Sequence, residues 1–561
     1  MRSIPSIAAV IVVGACAADP VPPTPPDPTP GPVFLTPVQH LNRASIALRG
    51  LRPSIDDLRA VEADAEALPS IVDRYLASPE FGATIRELHN ETLLVSLETG
   101  QFTFPSKPPF TERTAVDMNT IWEEPLRLIE NVVMTDQPYT QIVTVDYTMT
   151  NEVSAVVWGL THTGAPDQWT VTPYTDSRGA AGVLSTNTLY QRWRSAGANF
   201  NRGRANLISS ALLCHDFTES DILIDTSVDL SDPDAVSEAV VKNPACAGCH
   251  QTLDPLASYS FAFDKKVAPN QIESYPVKGY RGGDIDDWKT TNKRPPGYFG
   301  QPAAGLTGLG LAIADDPRFA RCTAIRFASF LTEVPKANLS REWIARLQRG
   351  LVDSRFNAKE LVKTIVLSDE FRVSSHEDPA VAESVVGALK VRPEQFDRQL
   401  RAVTGFDWST TSTVELRKMA FGTSNLLLGD FIGFRVLAGG IDSYFVTTPV
   451  HTMTATSTLV ASAAASAAAD FVVEHDATVP ADQRTLFVAA SVDATDPSEI
   501  RAQLVHLHAR IYGELVAPDA PEVDESYALY TESLASVGND RRRAWKLALI
   551  GMLTNFPSLF Y

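Results

Sequence analysis

Cysteine is scarce in this chain, with five in 561 residues against seven methionines and ten histidines. So few thiols cannot staple a body of this length, which must be held by an apolar core, and 44% apolar residues are enough for one. Cationic side chains are short as well. The 48 Lys and Arg face 67 Asp and Glu, a net charge of −19, which argues against nucleic acid or anionic lipid as a partner of the body. An acidic surface of this kind either steers a basic partner or simply keeps the protein soluble. Several catalytic signatures are missing. There is no G-x-S-x-G, no H-E-x-x-H and no phosphate-binding loop, so hydrolase and nucleotide chemistry find no support. After the first fifteen residues no apolar run is long enough to span a bilayer, so the expectation is a body anchored to a membrane rather than threaded through it.

What is present is concentrated in five residues, Cys246-Ala247-Gly248-Cys249-His250. Cys-x-x-Cys-His is the attachment signature of a c-type haem. Two thiols one helical turn apart lie on one side of the backbone and can both form thioethers, while the next residue turns an imidazole towards the iron. Random sequence of this composition yields the pattern about once in a thousand chains. A Cys246–Cys249 disulfide and part of a zinc site are the alternatives. The expected site is Cys246 and Cys249 as the attachment points of covalent haem c and His250 as the iron ligand; Pro255 reads first as a plain turn-forming residue, with its carbonyl orienting the His250 ring as the alternative.

Covalent haem implies export, and the beginning of the chain carries a signal for it. Arg2 precedes the apolar stretch Ile4 to Val13, followed by Gly14-Ala15-Cys16, a lipoprotein-type cleavage site that predicts removal of residues 1–15 and acylation of Cys16. Residues 16–33 then read as a polyproline tether. Ala17 carries no retention charge, so an outer-membrane anchor facing the periplasm or the surface is expected. With Cys16 and the motif pair assigned, Cys214 and Cys322 remain. In an oxidising compartment they are expected to form a disulfide closing 108 residues, worth roughly 4–5 kcal/mol.

The body predicts a mainly α, multi-domain protein with an irregular, loop-rich central haem segment. The divisions expected are an N-terminal helical domain at 34–165, a central domain at 166–376 and a C-terminal helical domain at 377–561. Capping patterns at Ser54, Ser70 and Ser78 predict helices over 55–66, 71–77 and 80–97, and another follows at 117–134. Short strands are expected at 142–148 and 153–158. Helices return at 206–214, 320–332, 341–350 and 358–367, with an irregular stretch at 265–310. The last third predicts helices at 395–403, 412–428, 456–473, 497–516, 524–536 and 540–554. The Ala and Ser run 461–469 reads as a tightly packed internal helix, and His506 and His508, two apart on a helix, do not share a face.

Several phrases, in order, resemble one family. "LNRASIALRGLRPSIDDLRAV", "IVDRYLASPEF", "NRGRANLISSALLC", "NPACAGCHQTLDPLASYSFAFD", "ADDPRFARCTAIRFASFL" and "LALIGMLTNFPSLFY" are similar to segments of the Planctomycete-type cytochrome c-like secreted proteins, also common in myxobacteria. The resemblance covers most of residues 35–561. It implies an exported helical protein, built of several domains of unknown function around a cytochrome c-type site, with cysteines at the positions of Cys214 and Cys322. This chain departs where many relatives have Met shortly after the haem His, for here the residues are Gln251 to Pro255.

No Met lies between Met149 and Met419, so a distal iron ligand cannot be a methionine of the haem segment. His215, beside Cys214, ranks first, with Met149, His376, Met419 or His451 as ligands brought from outside, or an open or water-bound position. Three functions follow: electron transfer with an unknown redox partner, a haem enzyme of oxidase or peroxidase type, or a haem-free surface or scaffold lipoprotein with a Cys246–Cys249 disulfide.

Overall fold

The structure is a computed structural model that describes residues 31–97, 107–110, 120–195, 199–219, 225–229, 231–263, 272–378, 381, 385–414, 419–429 and 433–561. The export segment, Cys16 and all but the end of the Pro-rich tether lie outside the described residues. At 59% helix and 5% strand the chain is mainly α.

Side-chain caps start the first helices. Thr36 accepts from the Gln39 amide at 3.3 Å while the Gln39 side chain accepts from the Thr36 amide at 3.0 Å, opening Pro37–Arg49. Ser54 caps Ile55–Ala63 and Ser78 caps Pro79–Leu93. Ser70 does not act as a cap. It lies inside Leu68–Leu76, where its hydroxyl donates to the Ala67 carbonyl at 2.8 Å. Leu68, Ile71, Val72, Tyr75 and Leu76 are all buried, and placing Leu68 on that face draws the helix start back past the serine.

One apolar core runs from Leu41 to Leu389, across position 165, and unites the N-terminal helices with Glu124–Met134, Arg202–Leu213, Pro317–Thr332, Arg341–Asp353 and Ala358–Val366. Its ends meet in a two-stranded antiparallel sheet, in which β1 (Pro32–Phe34) pairs with β4 (Val373–His376). A second core begins at Val391 and gathers Pro393–Thr404, Ala455–Thr478, Pro497–Leu507, Pro521–Ser536 and Arg541–Thr554. A small third cluster centres on Trp122, Val157 and Trp158.

Other segments differ from expectation as well. Of the strand expected at 142–148 only Tyr147 and Thr148 are extended, at the start of β2 (Tyr147–Thr150), which pairs with β3 (Thr170–Pro173); Tyr139–Val143 is a 3-10 helix and residues 153–158 are helical too. Asn151 and Ser154 cap each other there, Gly159 at φ 70° ends the helix, and Val153 and Val157, four apart, meet the third cluster. The expected helix at 412–428 is a hairpin of β5 (Ser409–Val414) and β6 (Met419–Asn425). The run Thr410-Thr411-Ser412-Thr413-Val414 is β-branched at four of five positions, and that preference outweighs helical spacing. Within the expected irregular stretch, Gly305–Ala314 is a helix, and Gly310 lets it approach the backbone of the 3-10 helix Tyr139–Val143 so closely that a Cβ there would stand 2.1 Å from the Val143 carbonyl oxygen.

Ala455–Thr478 is long and apolar enough, by length and composition, to cross a membrane, which no segment of the body was expected to be. Half of its most apolar window is buried within the fold. Ala464, Ala465, Ala468, Ala469, Val472 and Val473 are fully enclosed where it packs on Arg541–Thr554, and Lys546 reaches back to Asp470 at 2.6 Å and Glu474 at 2.7 Å. Packing and ion pairs of this kind belong to a core helix.

Candidate functional site

The Cys-x-x-Cys-His sequence lies on a regular helix, Pro244–Ala257. Pro244 occupies the first helical position, and the Asn243 side chain accepts from the Ala245 amide at 3.0 Å. The preceding helix, Pro233–Lys242, ends at that same asparagine, so the motif sits just after a sharp corner. The two halves of the motif helix differ. Asp254, Leu256 and Ala257 are buried, whereas Cys246 is half-buried and Cys249 exposed. The helix is therefore rooted by its C-terminal half and presents the cysteines outward.

Neither Cys246 nor Cys249 is bonded to another cysteine. A side chain at Gly248, between them, would meet nothing within 4 Å, so the space beside the motif is open. On a helix Cys246 and His250 are one turn plus about 40° apart, and Cys249 lies about 60° short of a full turn from Cys246. All three side chains thus fall on adjoining parts of one surface.

The His250 ring is held from behind. Its Nδ1 lies 3.0 Å from Asp254 Oδ1, and Arg202 grips the same carboxylate through Nε to Oδ1 at 2.6 Å and Nη2 to Oδ2 at 3.1 Å. The Asp254 side chain is only 1% exposed. Burial alone would raise its pKa, but the hydrogen bonds from His250 and Arg202 and the charge of the guanidinium outweigh it and hold the carboxyl below the usual range. An ionised carboxylate only accepts, so Nδ1 carries a proton, and in the neutral ring Nε2, which bonds no described residue, is then the nitrogen with the lone pair. Behind this pair, Asn292 donates to the Asp254 carbonyl at 3.1 Å and Ser258 to the same oxygen at 2.9 Å.

Pro255 does not orient the histidine. Its carbonyl accepts from the Gly297 amide at 3.3 Å, and the ring is instead fixed by the carboxylate four residues on. Sequence reasoning missed Asp254 and Arg202. The signal for Asp254 was available, because a His and an Asp four apart on one helix face each other. Arg202 came from a different helix and left none.

Cys214 and Cys322 form the disulfide, with Cα atoms 5.3 Å apart. It joins the end of Arg202–Leu213, the helix that bears Arg202 and packs on the motif helix, to Pro317–Thr332. The other ligand positions considered are dispersed. His215 is exposed, with ring contacts to Phe217 at 4.7 Å and Phe299 at 5.7 Å. Met149 is buried in the first core, His376 Nδ1 accepts from the Asp378 amide, His451 pairs with Glu333, and Met419 begins β6. Among the described residues no group of three His, Cys, Asp or Glu is gathered as for a metal ion. No family model, no curated protein and no solved structure matches the chain.

Proposed function

We propose that this chain is an exported c-type haem protein, a lipoprotein held at the outer membrane through Cys16, that passes electrons to a redox partner in the cell envelope, and that it belongs with the cytochrome c-like secreted proteins it resembles. One observation carries the reading: two unbonded thiols and an imidazole share one surface of a helix, and the imidazole is already set in the tautomer an iron ligand needs.

The residues fit a covalent haem. Cys246 and Cys249 would carry the thioethers, and Nε2 of His250 would face the metal. When bound, the haem supplies reversible one-electron chemistry. Asp254 fixes the ring's rotation and, as an anionic acceptor for Nδ1–H, raises the basicity of Nε2. Arg202 keeps that carboxylate ionised and in place. The buried C-terminal half of the helix gives the ligand a rigid base.

The test is an absorption spectrum of the chain exported with an intact haem-maturation system. A Soret band that survives denaturation and acid–organic extraction is expected, with loss of covalent attachment in the Cys246→Ala/Cys249→Ala double variant. Colourless exported protein with Cys246 bonded to Cys249 would overturn the proposal. The Cys16→Ala form is expected to leave the membrane fraction.

A further inference from the structure

A cavity of about 180 Å³ opens where the end of Pro317–Thr332 meets Pro79–Leu93 and the start of Pro393–Thr404. Its ionisable lining is Glu91, Arg326, Glu333, Lys336, Arg392 and His451. None of these lies on the motif helix, and the site is independent of the haem reading.

The acids in this cavity are already taken. Arg392 holds both, with Nη1 at 2.8 Å from Glu91 and Nε at 3.2 Å from Glu333, and His451 Nδ1 lies 3.2 Å from the other Glu333 oxygen. Glu333 is kept in a left-handed backbone conformation, φ 54°, that places its carboxylate between these two partners. Two cations are left over. Arg326 spends its hydrogen bonds on neutral acceptors, Nη1 on the Thr92 hydroxyl at 2.8 Å and Nη2 on the Ser210 carbonyl, while its enclosed Nε finds no acceptor. Burial pulls its guanidinium down to about 10, the mark of a charge without a counter-charge. Lys336, solvent-exposed at the rim, forms no ion pair with a described residue; desolvation of its ammonium and then the Arg326 charge pull it down to about 8, against the charges of Glu219 and Glu91. Thr92 accepts from Arg326, and its own hydroxyl proton has no described acceptor.

An uncompensated guanidinium beside a second cation is costly in a folded interior. A ligand with negative charge spread over several oxygens would relieve it and meet three donors at once, the guanidinium, the ammonium and the Thr92 hydroxyl. We propose that this cavity binds a small oxyanion, a phosphate or carboxylate group, between Arg326, Lys336 and Thr92.

The experiment titrates the full chain with sodium phosphate and, separately, sodium succinate, against sodium chloride at equal ionic strength, by calorimetry. Saturable binding of one or both is expected, and the tighter arm names the source of the group. Lys336→Met, a change at an exposed position, should weaken it by about tenfold, as for loss of one charge-assisted hydrogen bond. Hydrogen exchange of the unmodified chain provides a second readout. The bound anion should slow amides at 88–93 and 329–336 and leave those of Ala455–Thr478 unchanged. Responses to phosphate and succinate no different from chloride, or affinity unchanged in Lys336→Met, would refute the site.

Discussion

Replacing both bridged cysteines, Cys214→Ala with Cys322→Ala, should loosen the half of the first core that supports the motif helix. The bridge closes 108 residues, and a loop of that length restricts the unfolded chain by roughly 5 kcal/mol in the chain-entropy account. That loop contains the whole motif helix, and one of its ends is the helix carrying Arg202. Cys322 is 1% exposed, which makes alanine the better replacement, since a serine there would bury a hydroxyl. The assay is native-state hydrogen exchange at pH 7, comparing amides of Arg202–Leu213 and Pro317–Thr332 with those of Ala455–Thr478 in the second core. A loss of roughly 4–5 kcal/mol would accelerate the slowest amides of the first pair by more than about a thousandfold, with the second core little changed. Acceleration of less than about tenfold would show that the bridge joins parts already held by packing, and the entropy argument would fail.

Three further expectations concern single side chains. In haem-free protein the His250 ring should be the Nδ1–H tautomer by nitrogen-15 NMR, and Asp254→Ala should give a mixture; in haem-loaded protein the loss of the anionic acceptor should raise the reduction potential. His89 is buried between the Ile85 carbonyl at 2.6 Å and the Tyr139 hydroxyl at 2.7 Å, and burial lowers its pKa from 6.5 to about 4. A depressed folded-state pKa means its stabilisation is whole above pH 6.5 and is lost as pH falls towards 4, by roughly 3 kcal/mol; melting curves should show that slope flattened in His89→Gln. Asp476 accepts from the amides of Thr485 at 2.9 Å and of Leu486 and Phe487 at 2.8 Å, so Asp476→Ala should destabilise the second core by about 3–9 kcal/mol in urea unfolding, at 1–3 kcal/mol for each of the three stranded donors. An effect under about 1 kcal/mol would mean that water reaches those amides.

Much of this molecule could be read before its structure was known, because the deciding interactions were local. A Ser ahead of an apolar-periodic run fixes a helix start through one hydrogen bond three residues away, as at Ser54 and Ser78. Cys246, Cys249 and His250 share a surface by helical geometry alone, and the pairing of Cys214 with Cys322 followed from having no other cysteines to choose from. Where local preferences competed, reading failed. Residues 153–158 are Val-rich yet helical because a cap and a buried face favour it, and β5 with β6 took the strand form where helical spacing was expected. What the tertiary structure alone decided are the meetings of distant segments. The carboxylate behind His250 is held low by the histidine and by an arginine 52 residues away, and the cationic cavity is assembled from two helices, the turn at Lys336, Arg392 and His451. Such contacts are set by how buried faces pack, and packing couples the whole chain at once, so no window of sequence contains them.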